Sequence, residues 1–161
     1  RPEQTETLIR KERARYELEI AAARPALRGK TLVVFGGAGS REWVLDTALD
    51  LEMKPLLVAI AAHEEDMKDD FEKRHQNRVS YEFAFHPDRR FKMLADLKPD
   101  AVLIGAKHDL PPGTVFLDLI GTAHLGFASG AQLARRWQAL FRAPRVEGWR
   151  TAFSRTQETR P

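Results

Sequence analysis

Apolar residues in this chain fall into short unbroken runs separated by stretches of helical spacing. Thr31-Leu32-Val33-Val34-Phe35 is one run, and Pro55-Leu56-Leu57-Val58-Ala59-Ile60 is a second. Ala101-Val102-Leu103-Ile104-Gly105 and Val115-Phe116-Leu117-Asp118-Leu119 follow later. Runs of this length and character mark strands covered on both faces. Val79 to Phe85 alternates more loosely and is expected to be a further strand, third in chain order. The segments between them carry apolar residues at helical spacing. Trp43, Val44, Leu45, Ala48, Leu49 and Leu51 predict one helix, Met67 and Phe71 another within His63–His75. Pro87 opens a third, through Phe91, Leu94 and Leu97, and Ala128–Arg142 form a last one that stops before Pro144. Residues 3–24 predict a charged leading helix, capped at Thr5 or Thr7 and ended by Pro25, packing along one edge.

Strands and helices alternate throughout, so the sheet is expected to be mainly parallel with right-handed crossovers. The fold class is α/β: a single Rossmann-like domain of three layers, with about five strands and flanking helices. The boundaries read as a lead-in helix over 1–28, the Rossmann-like domain over 29–149 and a frayed tail over 150–161. A length of 161 residues suits one domain of this kind.

Composition removes several function classes. There is no cysteine, so disulfides and thiolate-held zinc or iron–sulfur clusters cannot be built from this chain alone. The net charge of +3 is concentrated near the two ends, in Arg10, Lys11, Arg13 and Arg15 and again in Arg135, Arg136, Arg142, Arg145 and Arg150. These residues are mixed with glutamates or lie on helix faces and read as a solvated surface, not a nucleic-acid interface. No run approaches the ~20 apolar residues of a membrane span. A signal-peptide pattern is lacking as well, which gives a cytoplasmic-type protein with no membrane partner. The chain starts at Arg1 rather than at a methionine, which suggests a longer native protein.

Ligands of parallel sheets of this kind bind at the carboxyl ends of the strands. Three loops qualify. The first, Gly36-Gly37-Ala38-Gly39-Ser40-Arg41, lets backbone amides approach an anion at a helix N-terminus. It is equally readable as a tight strand-to-helix turn with Ser40 as the cap. As a dinucleotide fingerprint it is incomplete, because Glu42 occupies the third glycine position. The second loop holds His63, Glu64, Glu65 and Asp66. A hard metal or acid–base chemistry could use them, but acidic residues in a first helical turn more commonly complement the helix dipole. The third holds Lys107, His108 and Asp109, either an anion clamp or an ordinary polar loop. His124 stands alone in the last crossover. No catalytic residue is assignable, and no metal-ligand set is read in the chain.

Four segments, in order, resemble the C-terminal domain of nitrogenase component 1-type oxidoreductases. Leu27-Arg28-Gly29-Lys30-Thr31-Leu32-Val33-Val34-Phe35-Gly36-Gly37 is similar to that family's strand ending in Gly-Gly. Glu64-Glu65-Asp66 matches an acidic pair, and Leu97-Lys98-Pro99-Asp100-Ala101-Val102-Leu103-Ile104-Gly105-Ala106-Lys107 matches a Lys-Pro-Asp strand. Gly126-Phe127-Ala128-Ser129-Gly130, with Leu133-Ala134-Arg135-Arg136 and Pro144, matches the ending. The resemblance covers about residues 8–149.

It implies one of three Rossmann-like domains of a subunit that pairs with a second nitrogenase-like subunit and receives electrons from an iron–sulfur reductase. The cofactor implied is an iron–sulfur or iron–molybdenum-type cluster, or a tetrapyrrole, with its ligands outside this chain. Gly36, Gly37, Gly39, Ser40, Arg41, Lys107 and His108 are the expected cofactor contacts, with Lys107 placed to meet the cofactor's organic acid. Two departures qualify this. Leu119-Ile120-Gly121 stands where the catalytic subunit has a histidine ligand, and Gly39 stands where it has an arginine, with Arg41 nearby. A redox-enzyme domain is therefore the first expectation, in nitrogen fixation or a nitrogenase-like reaction. A non-catalytic cofactor-biosynthesis scaffold or carrier is the second, and a nucleotide-binding α/β protein the third.

Overall fold

The computed structural model describes residues 2–36, 42–61, 66–103, 110–111, 113–117 and 126–143. In chain order these form α1 (Pro2–Leu27), β1 (Thr31–Phe35), α2 (Glu42–Asp50), β2 (Lys54–Ala59), α3 (Lys68–His75), β3 (Tyr81–Glu82), α4 (Arg90–Leu97), β4 (Ala101–Leu103), β5 (Val115–Leu117) and α5 (Phe127–Arg142). The strands make one sheet in the order β3-β2-β1-β4-β5, and every pairing is parallel. The mainly parallel α/β sheet expected from the sequence is thus present.

Strand pleating sorts the apolar runs onto two faces. Leu32, Val34, Val58, Ala101, Leu103 and Leu117 face one core with residues of α1, α2, α3 and α5, including the fully buried Trp137. Val33, Phe35, Ala59 and Val102 face a smaller core closed by Leu94 of α4 and by Phe85. A register irregularity between β1 and β2 sits beside Pro55, which has no N–H to give to the ladder.

Three expected boundaries shift. The leading helix does not stop at residue 24: it starts at Pro2 and runs through Pro25 to Leu27. Proline's fixed φ suits a helix, and the exposed last turn lets water solvate the carbonyl that loses its donor. Ala23 and Leu27 are buried by continuing, and the Arg28 amide closes onto the Arg24 carbonyl at 2.8 Å. Thr5 and Thr7 accordingly lie inside the helix rather than at its cap. The third strand is only Tyr81–Glu82, because the chain bends at Ala84, whose φ is +53°. The aromatic alternation there serves packing: Phe83 meets Phe71 edge-on and Phe85 tilts against Phe35. The helix expected from His63 is α-helical only from Lys68, with residues 62–65 outside the described residues. The frayed tail expected over 150–161 lies outside them too. Among the described residues no helix is long and apolar enough to cross a membrane.

α1 packs alongside α5, both running opposite to the strands. Arg135 pairs with Glu19 at 2.8 Å, and the Gln138 amide donates to the Ala22 carbonyl at 2.7 Å. The Tyr16 ring lies 5.6 Å from that of Phe127 and its hydroxyl donates to Asp50 at 2.6 Å. Burial first, and then the Asp50 carboxylate, push the Tyr16 pKa well up, so the phenol stays a donor. Gly130 makes this contact possible: a Cβ there would sit 2.6 Å from the Tyr16 ring. At about 39 Å, α1 is roughly twice as long as the strands are tall, so its exposed first half overhangs the carboxyl end of the sheet.

The amino-terminal ends of the strands are tied by Asp100. Its Oδ2 accepts from the Thr31 amide and the Thr31 hydroxyl, both at 2.9 Å, while the Thr31 hydroxyl accepts from the Asp100 amide at 3.0 Å. Lys30 Nζ lies 3.4 Å from Oδ1. Burial raises the Asp100 pKa, but the two Thr31 bonds and Lys30 outweigh it and hold the carboxyl below its ordinary range. The Asp100 carbonyl also accepts from the Val115 amide, which brings β5 into the same knot.

Asp100→Ala is expected to lower stability by about 1–3 kcal/mol in urea unfolding, since two Thr31 donors lose their partner. The wild-type contribution of this carboxylate is complete at neutral pH and is lost as pH falls below the ordinary aspartate range, so the gap between wild type and variant narrows in acid. Gly130→Ala should cost about 1–3 kcal/mol and raise the exposure of Tyr16, read by its fluorescence, because the ring must leave the helix contact.

Candidate functional site

Chain order sets the position of the site. From β1 the chain moves outward through β2 to β3, then returns across β1 to β4 and β5. The direction reverses between β1 and β4, and open parallel sheets hold ligands in the crevice at the carboxyl ends of such a pair. The register Leu32↔Ala101, Val33↔Val102, Val34↔Leu103 sets the two strands side by side and pointing the same way. The loops carrying Gly37 and Lys107 therefore leave the sheet from the same end and from adjacent strands.

Of the expected contacts, Gly36 lies within the described residues. Its φ is +76°, in the left-handed region that favours glycine, and its amide donates to the Ala59 carbonyl at 2.8 Å. β1 thus turns away sharply at the point where a ligand would approach. Gly37, Gly39, Ser40, Arg41, Lys107 and His108 lie outside the described residues, as do His63, Glu64, Glu65, Asp109, His124 and the Leu119-Ile120-Gly121 segment. Asp66 is exposed and lies in a turn before α3.

Sequence reading assigned nothing to the far side of the glycine turn, where a charged cluster is buried. Glu42, the first residue of α2, is 5% exposed and forms an ion pair with Arg74. His75 is 1% exposed and stacks on Phe71 at 4.9 Å, with its Nε2 3.9 Å from Glu42 Oε2. Both His75 ring nitrogens are buried without a hydrogen-bond partner among the described residues. Burial is the main cause of its lowered pKa, opposed by Asp46 and Glu42 and aided by Arg78 and Arg74. Arg78 also pairs with Asp46 at 3.4 Å. These contacts anchor the start of α2 to α3 and fix one exit of the turn. They also bear on dinucleotide binding. The fingerprint needs glycine at position 42 for close helix–strand packing, and this chain has a buried, paired carboxylate there.

On the sheet's other face, Arg90 lies over Phe35, the last residue of β1, with its guanidinium carbon 4.6 Å from the ring centroid. Its Nε is buried without a hydrogen-bond partner among the described residues.

Of the clefts among the described residues, two bear carboxylates that are already engaged. One of about 560 Å³ runs beside α4 and includes Lys98, Pro99, Asp100 and Thr114 at the amino ends of β4 and β5. Its carboxylate is committed to Thr31. The other, about 200 Å³, lies between α1, α2 and α5, and its two carboxylates are taken by Arg78 and Tyr16. Among the described residues no group of three or more His, Asp or Glu side chains could hold a metal ion.

The family model for nitrogenase component 1 type oxidoreductases matches residues 1–141. A solved structure titled "Nitrogenase Cp1 at pH 5" superposes with a TM-score of 0.66 at 16% identity, covering 88% of this chain and 36% of that one. A second, "Nitrogenase Cp1 at pH 6.5", gives 0.64 at 13% identity, covering 88% and 39%. At these identities the likeness is one of fold. The chain spans less than two fifths of either protein. No curated protein matches it.

His75→Phe tests the buried cluster. The fold disfavours the imidazolium, so the unfolded chain binds the extra proton and wild-type stability falls as pH drops through the imidazole range near 6.5. Urea midpoints measured from pH 8 to 5.5 should fall less steeply in the variant.

Proposed function

This chain belongs to the nitrogenase component 1 type oxidoreductase family, and on that premise we propose that it forms one wall of a cofactor pocket in a nitrogenase-like oxidoreductase component. The observation that carries the reading is the adjacency of β1 and β4 at the point where strand order reverses. It brings the roots of the glycine-rich and Lys107-containing loops side by side. Gly36, Gly37 and Gly39 carry no side chain to bar close backbone approach, and Ser40 and Arg41 immediately precede α2 in the chain, where a helix N-terminus can offer amides to an anion. Lys107 and His108 supply cationic donors from the β4 side. The role is to bind and orient a negatively charged cofactor and to keep water from one side of it.

A metal cluster or tetrapyrrole in that place would supply electron storage and a site for substrate reduction. Its ligands would come from outside this chain, which has no cysteine. A paired nitrogenase-like subunit and an iron–sulfur reductase complete the assembly in this reading.

A second reading is a cofactor-assembly scaffold or carrier. Ile120, where the catalytic subunit has a histidine ligand, favours it. The two part on turnover: a catalytic component reduces substrate with its reductase, while a scaffold retains cofactor without turnover.

The test uses the full-length protein containing this chain, purified without oxygen. The wild type is expected to carry metal or tetrapyrrole, seen by elemental analysis and absorption. Arg41→Ala combined with Lys107→Ala should retain less than about a tenth of it, with an unchanged unfolding midpoint, if two charge-assisted contacts are lost. A wild type without any such cofactor, or a double variant that retains it fully, would overturn the pocket.

A further inference from the structure

Arg90 is the first residue of α4 and follows directly on a 3-10 turn, Pro87–Arg89, that carries Asp88. Arg24, Arg28, Arg74, Arg78, Arg89 and Arg135 each pair with a carboxylate. Arg90 has no carboxylate partner among the described residues, and its Nε lies buried with no acceptor. Nor is it simply solvated, as Arg10, Lys11 and Arg15 are on the overhanging part of α1: Arg90 is half-buried, where water screens a charge less well.

The Phe35 ring takes the place of a counter-ion. At 4.6 Å the guanidinium sits on the ring face, and Phe35 is itself fixed by Phe85 at 5.7 Å. Stacking holds an arginine by its plane and leaves its in-plane N–H groups available to a carboxylate or phosphate. The neighbouring Arg89 lies over Phe85 but is neutralised by Glu82. Two adjacent arginines thus share an aromatic seat, and one is left without an anion. The seat is the last residue of β1, next to the left-handed Gly36, at the edge of the β1–β4 crevice.

We propose that Arg90, stacked on Phe35, binds an oxyanion at the mouth of this crevice. The site is built for a carboxylate or phosphate group on a ligand that enters between β1 and β4. It deepens the pocket reading by adding a contact from the α4 side of the sheet, and rests on that reading only for the ligand's identity.

The test follows the Arg90 Nε–H resonance by NMR while the chain is titrated with inorganic phosphate in one arm and succinate in the other. The expected result is a saturable shift with at least one of them, and the arm that saturates at lower concentration identifies the oxyanion. Arg90→Gln should weaken that binding by roughly tenfold or more, as expected for loss of a charge-assisted contact. Arg90→Lys keeps the charge but loses the planar fork, and should fall between the two while preserving the fold. Arg89→Gln should change binding less than about twofold, since Glu82 already engages that residue. No saturable shift in the wild type, or binding by Arg90→Gln equal to wild type, would overturn the proposal. Either result would leave the cofactor retention of the full-length protein to be judged on its own. Loss of anion binding in Arg90→Gln, with a full-length protein that carries no cofactor, would keep this site and remove the pocket reading.

Discussion

Asp100 and Thr31 exchange three hydrogen bonds across the amino-terminal ends of β4 and β1. The two strands are far apart in sequence, and their pairing is the step at which the sheet reverses its direction of growth. A parallel pair has no tight turn to set its register, so something else must do it. Here it is a carboxylate that finds two donors on one threonine, with Lys30 beside it. Once residues 31 and 100 are locked, β1 and β4 run side by side in the same direction. The proposed pocket depends on that register.

The two ends of the sheet differ in chemistry. At the amino end carboxylates and cations are matched: Asp100 with Lys30, Glu52 with Arg24 and Arg28. At the carboxyl end the Glu42–Arg74 pair is also satisfied, but among the described residues the His75 ring has no hydrogen bond and Arg90 no carboxylate partner. Uncompensated groups lower stability and persist where something else favours them. Their position at the ligand-binding end of the sheet matches the division of labour in open α/β folds.

The motifs that carried the family resemblance are explained mostly by architecture. Gly29-Lys30-Thr31 and Lys98-Pro99-Asp100 meet in the clamp, far from the crevice. Lys98 ends α4 with φ +44°, and Pro99 starts the return to β4. Gly130, in the Gly-Phe-x-x-Gly segment, is small because Tyr16 packs against it. Of the described motif residues, Phe35 and Gly36 stand at the carboxyl end of β1. The family signature was therefore legible without revealing which of its residues meet a ligand.

Apolar runs, helical spacing and glycine punctuation determined the α/β class, five strands and the order of elements, because burial on two faces imposes those patterns locally. Helix ends were less fixed: Pro25 reads as a stop, yet the burial of Leu27 carries α1 past it. Strand order was not written in any local pattern, nor were the pairing of Asp100 with Thr31, the burial of His75 against Glu42 and the seat of Arg90 on Phe35. Each joins residues that local propensity treats separately, and their energies exist only once the sheet has brought them together.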